Sequence, residues 1–263
     1  MKSEILHFLP RNHPWAENII WYDTIDSTNT QAKKLALSGA PHGTVLLAGQ
    51  QTGGRGRMGR SFLSPPESGI YLSVILRPDC APTELMHLTC ATAVAMCNAV
   101  QHVAGFRPKI KWTNDLVFQK RKLGGILTEL VFAPEGICAI VGIGLNCNQT
   151  PDNFPEDLRQ IASSLSTVVQ KPISLPLVAA HMIQELYRLD RILMEEKQNI
   201  MQAYQQDCIT IGQDISILQA DTVRHATAIG IDDNGGLIVR YPSGDLETIQ
   251  SGEVSVRGMY GYL

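Results

Sequence analysis

Residues 121–146 read RKLGGILTELVFAPEGICAIVGIGLN, two apolar runs separated by the short turn Ala133-Pro134-Glu135-Gly136. Strands joined by so few residues pair antiparallel, because a parallel return needs a crossover of about a dozen residues or more. This constraint removes the doubly wound folds built from repeated β-α-β units and leaves an α+β class with a mixed sheet. The run at 137–146 is read as an edge of that sheet, where a second subunit could add; a monomer or a weak homodimer is the expected state.

The remaining pattern fills in the sheet. Residues 19–25 read as a strand ended by Asp26-Ser27-Thr28-Asn29. Ser27 or Thr28 caps a helix to about residue 38, since a short side-chain oxygen can accept an orphan backbone N–H. Strands follow at 44–50 and 70–76, then a long alanine-rich helix over 82–104. Strands at 109–112, 123–130 and 137–146 complete the set, and helices are expected at 175–196 and 199–208. From Gly212 the texture changes to short strands with hairpin signals at Asp233-Asn234-Gly235-Gly236 and Pro242-Ser243-Gly244-Asp245. The chain therefore divides into a main domain, 1–210, and a small β-barrel domain, 211–263.

Composition excludes several classes. A net charge of -3 argues against a general nucleic-acid binder. Continuous apolar stretches long enough for a signal peptide or a membrane span are absent, and Pro10 and Pro14 interrupt the N-terminal segment. The six cysteines include no C-x-x-C pair and sit mostly in apolar runs, so they read as reduced core residues of a cytoplasmic protein. The histidines lack metal-ligand spacing, and no protein-held metal is expected.

The segment 50–62, QQTGGRGRMGRSF, places four glycines and three arginines within 53–60, directly after a strand. Glycine lets backbone approach a ligand, and arginine offers a planar donor fork to phosphate or carboxylate. Gly54-x-Gly56-x-x-Gly59 imitates a dinucleotide fingerprint, and Gly54 to Ser61 nearly imitates a P-loop. Both motifs need a helix starting at the loop, and Pro65-Pro66 with Gly69 forbids it. An anion-binding loop of a different kind is implied.

Four segments taken together, Asp26 to Asn29, the 50–60 loop, Lys111-Trp112-Thr113-Asn114-Asp115 with the following RKLGGIL, and Gly142-Ile143-Gly144-Leu145-Asn146, resemble the biotin–protein ligases. The closing Gly252-Glu253-Val254-Ser255-Val256-Arg257 resembles that family's C-terminal barrel. The resemblance implies a class II aminoacyl-tRNA synthetase-like catalytic fold followed by an SH3-like barrel. It implies ATP-dependent activation of biotin to biotinyl-AMP and transfer to a lysine of a biotin carboxyl carrier protein, with Mg²⁺ accompanying ATP. By motif, Ser27, Thr28, Asn29 and Gln51 would bond the ureido ring. Arg55, Gly56 and Arg57 would lie in the loop that closes over the ligand, and Lys122 would reach the biotin carboxylate and the α-phosphate. Asn114 and Asp115 would line the nucleotide and metal region, Asn146 would sit near the adenylate, and Gly54, Tyr71 and Gly125 would complete the binding set. Lys122, Arg57 and Asp115 form the expected catalytic group. For Asp115, orienting or deprotonating the acceptor amine, facing the metal, and a structural role all stay open. Trp112 reads as a packing residue beside the site.

The sequence departs from the family pattern at Thr113, where proline is usual, at Phe62, often tryptophan, and at Gly53, often alanine. Only about twenty residues precede the first strand, too few for the DNA-binding domain some members carry, so a ligase without repressor function and without a nucleic-acid partner is expected. The rival readings are a lipoate–protein ligase, a nucleic-acid-binding regulator and a catalytically dead sensor.

Overall fold

The computed structural model describes residues 1–219 and 222–250, and 254–258 as backbone strand. Gly252 and Glu253 of the closing motif lie outside the described residues. In chain order the elements are α1 (Lys2–Phe8), β1 (Ile19–Ile25), α2 (Thr28–Leu37), β2 (Thr44–Gln51), β3 (Gly69–Leu76), α3 (Leu88–Ala104), β4 (Lys109–Lys111), β5 (Asp115–Phe118), β6 (Arg121–Ala133), β7 (Gly136–Asn146), α4 (Leu165–Val169), α5 (Leu175–Ile192), α6 (Lys197–Asp207), β8 (Asp214–Gln219), β9 (Thr222–Ile231), β10 (Leu237–Arg240), β11 (Leu246–Ile249) and β12 (Val254–Gly258).

The first seven strands form one sheet in the order β1-β2-β3-β7-β6-β5-β4. β1 and β2 are parallel, and every other neighbouring pair is antiparallel. This is the mixed α+β sheet implied by the 121–146 hairpin. The 137–146 run is not an edge, however: β7 lies between β3 and β6. Its apolar residues are buried almost continuously, as a strand covered on both faces requires. From Ala139 to Leu145 both sides of the strand are already hydrogen-bonded, so that stretch is not an edge.

Alternation along the strands divides the core. Val45, Leu47, Ile70, Leu72 and Val74 face the large cluster built with α3 and α5, whereas Leu46, Ile75, Cys138 and Ile140 meet Ala32 and Ala36 of α2. Ser27 is the N-cap of α2, its Oγ accepting the Thr30 N–H at 3.4 Å. The 82–104 helix is interrupted: 82–85 is a tight 3-10 turn in which Glu84 accepts the Ala81 N–H at 2.8 Å, and α3 starts at Leu88.

β8 to β12 make a separate five-stranded antiparallel sheet in the order β11-β10-β9-β8-β12. It is bound directly to the loop after β4. The Trp112 indole N–H donates to the Gly235 carbonyl and the Trp112 amide to Thr210 Oγ1, both at 2.9 Å. Tyr204 of α6 donates to the Thr113 carbonyl at 3.1 Å, and the Trp112–Thr113 peptide is cis.

Candidate active site

A cavity of about 590 Å³ opens where the start of α2, the 55–62 loop, β5, β6 and β7 converge. Its floor is glycine by necessity. A methyl group on Gly142 would strike the Asn29 carboxamide, and one on Gly144 would strike the Phe62 ring. The GIGLN motif thus lets the side chains of two other segments lie flat against β7.

One end of the cavity is neutral and densely hydrogen-bonded. Gln51 Oε1 accepts from the Thr28 amide at 2.9 Å and from the Thr28 hydroxyl at 3.1 Å, while Gln51 Nε2 donates to Ser64 Oγ at 2.9 Å. Ser73, fully buried on β3, faces Thr28 Oγ1 at 2.8 Å and Asn29 Oδ1 at 2.6 Å. Asn29 Nδ2 donates to the Leu127 carbonyl at 3.1 Å and to Glu129 at 3.0 Å. Burial raises the Glu129 carboxyl. The hydrogen bonds from Lys33 and Asn29, with the charges of Lys33 and Arg55, outweigh that and hold it below the usual range.

The other end is cationic. Lys122 Nζ pairs with Asp115 Oδ1 at 2.6 Å. The Lys122 backbone is clamped by the neighbouring segment, its N–H on Ile161 and its carbonyl accepting from Ser163. Arg57 Nη1 donates to Asn114 Oδ1 at 3.0 Å, and Asn114 Nδ2 donates to the Ile126 carbonyl. Burial lowers the Arg57 guanidinium from its ordinary value, and the nearby Asp115 carboxylate opposes that shift. The arginine stays charged, because a guanidinium is not deprotonated in proteins.

The glycine–arginine segment is a small hairpin. Gly56 N–H bonds the Arg60 carbonyl at 2.7 Å and Phe62 N–H the Gly54 carbonyl at 2.9 Å, with a bridge between Arg55 and Ser61. A 3-10 turn at 57–59 is its only helical part, and extended backbone follows at Arg60. Arg57 reaches across the cavity to Asn114, so the loop lies over the site as a cover.

Of the residues singled out from sequence, Ser27, Thr28, Asn29, Gln51, Arg55, Gly56, Arg57, Asn114, Asp115, Lys122 and Gly125 line this cavity. Three do not. Gly54 packs under the Phe62 carbonyl. Asn146 is buried, with Nδ2 on the Ser163 carbonyl. Tyr71 faces a second cavity, its hydroxyl donating to the Pro65 carbonyl and pushed up to about 12 by burial. Trp112 lines the site as well as packing against the C-terminal sheet. Sequence reasoning missed Ser73 and Glu129. The signal for Ser73 was a lone hydroxyl within an apolar strand, and for Glu129 a carboxylate within the apolar run after Gly125.

The site thus joins a hydrogen-bonding recess to the cations Arg57 and Lys122 beside a glycine–arginine hairpin, an arrangement suited to binding a ligand with a polar head and an anionic end. Comparison with known proteins gives the family. Residues 21–146 match the biotin/lipoate A/B protein ligase family and residues 210–257 the biotin protein ligase C-terminal domain. The chain is 33% identical over 257 residues to the bifunctional ligase/repressor BirA of Bacillus subtilis, covering 97% of this chain and 78% of that one. It is 30% identical to the biotin–[acetyl-CoA-carboxylase] ligase of Paracoccus denitrificans, covering 89% and 98%. The biotin protein ligase of Aquifex aeolicus, solved with biotin and ATP, superposes with a TM-score of 0.79 at 28% identity, over 92% of this chain and 99% of that one. The chain belongs to the biotin protein ligase family.

Proposed function

We propose that this protein activates biotin with ATP and transfers it to a lysine of a biotin carboxyl carrier protein in the cytoplasm, with 1–210 as the catalytic unit and 211–263 as the C-terminal unit. The observation that carries the reading is the continuity of one cavity from the neutral Ser27–Thr28–Asn29–Gln51 end to the Arg57–Lys122 end. A ureido ring fits the first end and a carboxylate meeting a phosphate fits the second.

In the first step a biotin carboxylate oxygen bonds to the α-phosphorus of ATP and the bond to pyrophosphate breaks. An anion thereby approaches a polyanion, and Lys122 and Arg57 supply fixed positive charge where it is needed. In the second step the neutral carrier amine attacks the acyl carbon, the bond to AMP breaks, and the amine's proton passes to the departing AMP phosphate or to water. Asp115 is engaged by Lys122 and lies close to Arg57; we assign it to positioning those cations. The hairpin over the cavity excludes water from the mixed anhydride.

Among the described residues no three His, Cys, Asp or Glu side chains gather to hold a metal. Mg²⁺ would accompany ATP, held by phosphate oxygens and water, and Asp115, which lines the cavity, would be the carboxylate facing it. Among the described residues no helix is long and apolar enough to cross a membrane.

Calorimetric titration of the purified protein tests the binding half of this reading. Biotin binds and lipoate does not; a preference for lipoate would move the protein to the other branch of its family.

A further inference from the structure

Glu129 joins three parts of the cavity wall. Its Oε2 accepts from Asn29 Nδ2 at 3.0 Å, its Oε1 pairs with Lys33 of α2 at 2.5 Å, and Arg55 of the hairpin lies at 3.7 Å from the same oxygen. It is mostly buried, with 19% of its side chain exposed. The consequence falls on Asn29. The amide nitrogen of its carboxamide donates to Glu129 and to the Leu127 carbonyl, so Oδ1 is turned the other way, onto Ser73 and against Gly142 of the cavity floor. A carbonyl oxygen has two acceptor sites. Ser73 takes one, which leaves the other unassigned, beside Gly142 on the cavity floor.

We propose that Glu129 is a positioning residue that fixes the orientation of the Asn29 amide, so that the site offers an acceptor to an N–H donor of the ligand head group, and that draws Arg55 of the hairpin onto the same anchor. The inference rests on the reading that the neutral end holds a ureido ring, whose two N–H groups need acceptors. Its logic lies in the number of acceptor oxygens. A carboxylate can satisfy Asn29 with one oxygen and the Lys33 and Arg55 cations with the other. A carboxamide has a single oxygen, which the cations claim, and its NH₂ then faces Asn29. Two NH₂ groups cannot face each other, so Asn29 turns over and presents a donor to a donor.

Crossed substitution in the full-length protein tests this, with biotin as the probe and calorimetry as the readout. Glu129→Gln weakens biotin binding by about tenfold or more, as a mispaired buried group requires. Asn29→Asp alone also weakens it, by setting two carboxylates together. The double variant recovers part of the affinity, because the aspartate accepts from the glutamine NH₂ and still offers an acceptor to the ligand, while the bond to the Leu127 carbonyl stays lost. Glu129→Asp, which keeps two acceptor oxygens, binds biotin more tightly than Glu129→Gln. A merely structural role gives no such rescue. Double-variant binding as weak as the product of the two single effects, or Glu129→Gln binding like wild type, would overturn the inference. Absence of biotin binding by the wild type would instead overturn the functional reading beneath it.

Discussion

Replacing Lys122 by alanine separates chemistry from stability. The Lys122–Asp115 pair is short, 2.6 Å, but its side chains are 30% and 18% exposed. A partly exposed pair of this kind contributes only ~0–1 kcal/mol to folding. The same ammonium facing a reacting carboxylate and α-phosphate acts under a closed hairpin. There two unit charges about 4 Å apart interact by roughly 4 kcal/mol at an effective dielectric of 20. Each ~1.4 kcal/mol is a factor of ten in rate, so Lys122→Ala slows adenylation by two to three orders of magnitude and leaves the melting temperature nearly unchanged. Biotin-dependent exchange of labelled pyrophosphate into ATP measures the first quantity and thermal unfolding the second. Exchange within tenfold of wild type refutes the cation role. A large fall in melting temperature with a proportionate fall in activity refutes the claim that the pair serves chemistry rather than the fold.

Gly142→Ala pushes a methyl group into the Asn29 carboxamide, which its hydrogen bonds hold in place; titration should show biotin affinity lost by about tenfold or more, and wild-type affinity would contradict the floor assignment. Arg57→Gly removes a cation and the tether to Asn114, so biotinyl-AMP forms more slowly but escapes, and chromatography of the free adenylate should detect it; undiminished retention would count against the hairpin as a cover. The Glu129 carboxyl is held below its ordinary range of about 4.5, so its contribution to stability is present above that pH and is lost as pH falls through the depressed folded-state value. Urea midpoints of wild type and Glu129→Gln should therefore converge on acidification below about pH 4.5, the unfolded-state value; a constant gap across that window would show that the charge is not what Glu129 contributes.

Much of the site was legible because its polar residues sit at element ends. Asp26 to Asn29 interrupts an apolar strand and starts a helix, and the glycine–arginine run cannot be a core segment. Pro65-Pro66 ruled out both nucleotide-binding motifs, and no helix follows the loop. What escaped depends on long-range pairing. β7 reads as an edge until its partners are known; only the fold places β3 and β6 on either side of it. β5 was overlooked because its hairpin turns through Gln119 and Lys120, both at positive φ (47° and 63°), where Asn-Gly is the usual signal. Ser73 and Glu129 are polar residues inside strands, and their meaning appears only when α2 is laid across the sheet. Tyr71 has the right neighbours in sequence but points to the second cavity.

The central claim is tested most directly by transfer itself: the purified protein incubated with ATP, Mg²⁺, labelled biotin and a biotin carboxyl carrier domain. The account predicts label on the carrier lysine, dependent on ATP and abolished when that lysine is replaced by arginine. Absence of ATP-dependent label on an intact carrier, with biotin bound in the same preparation, would contradict it.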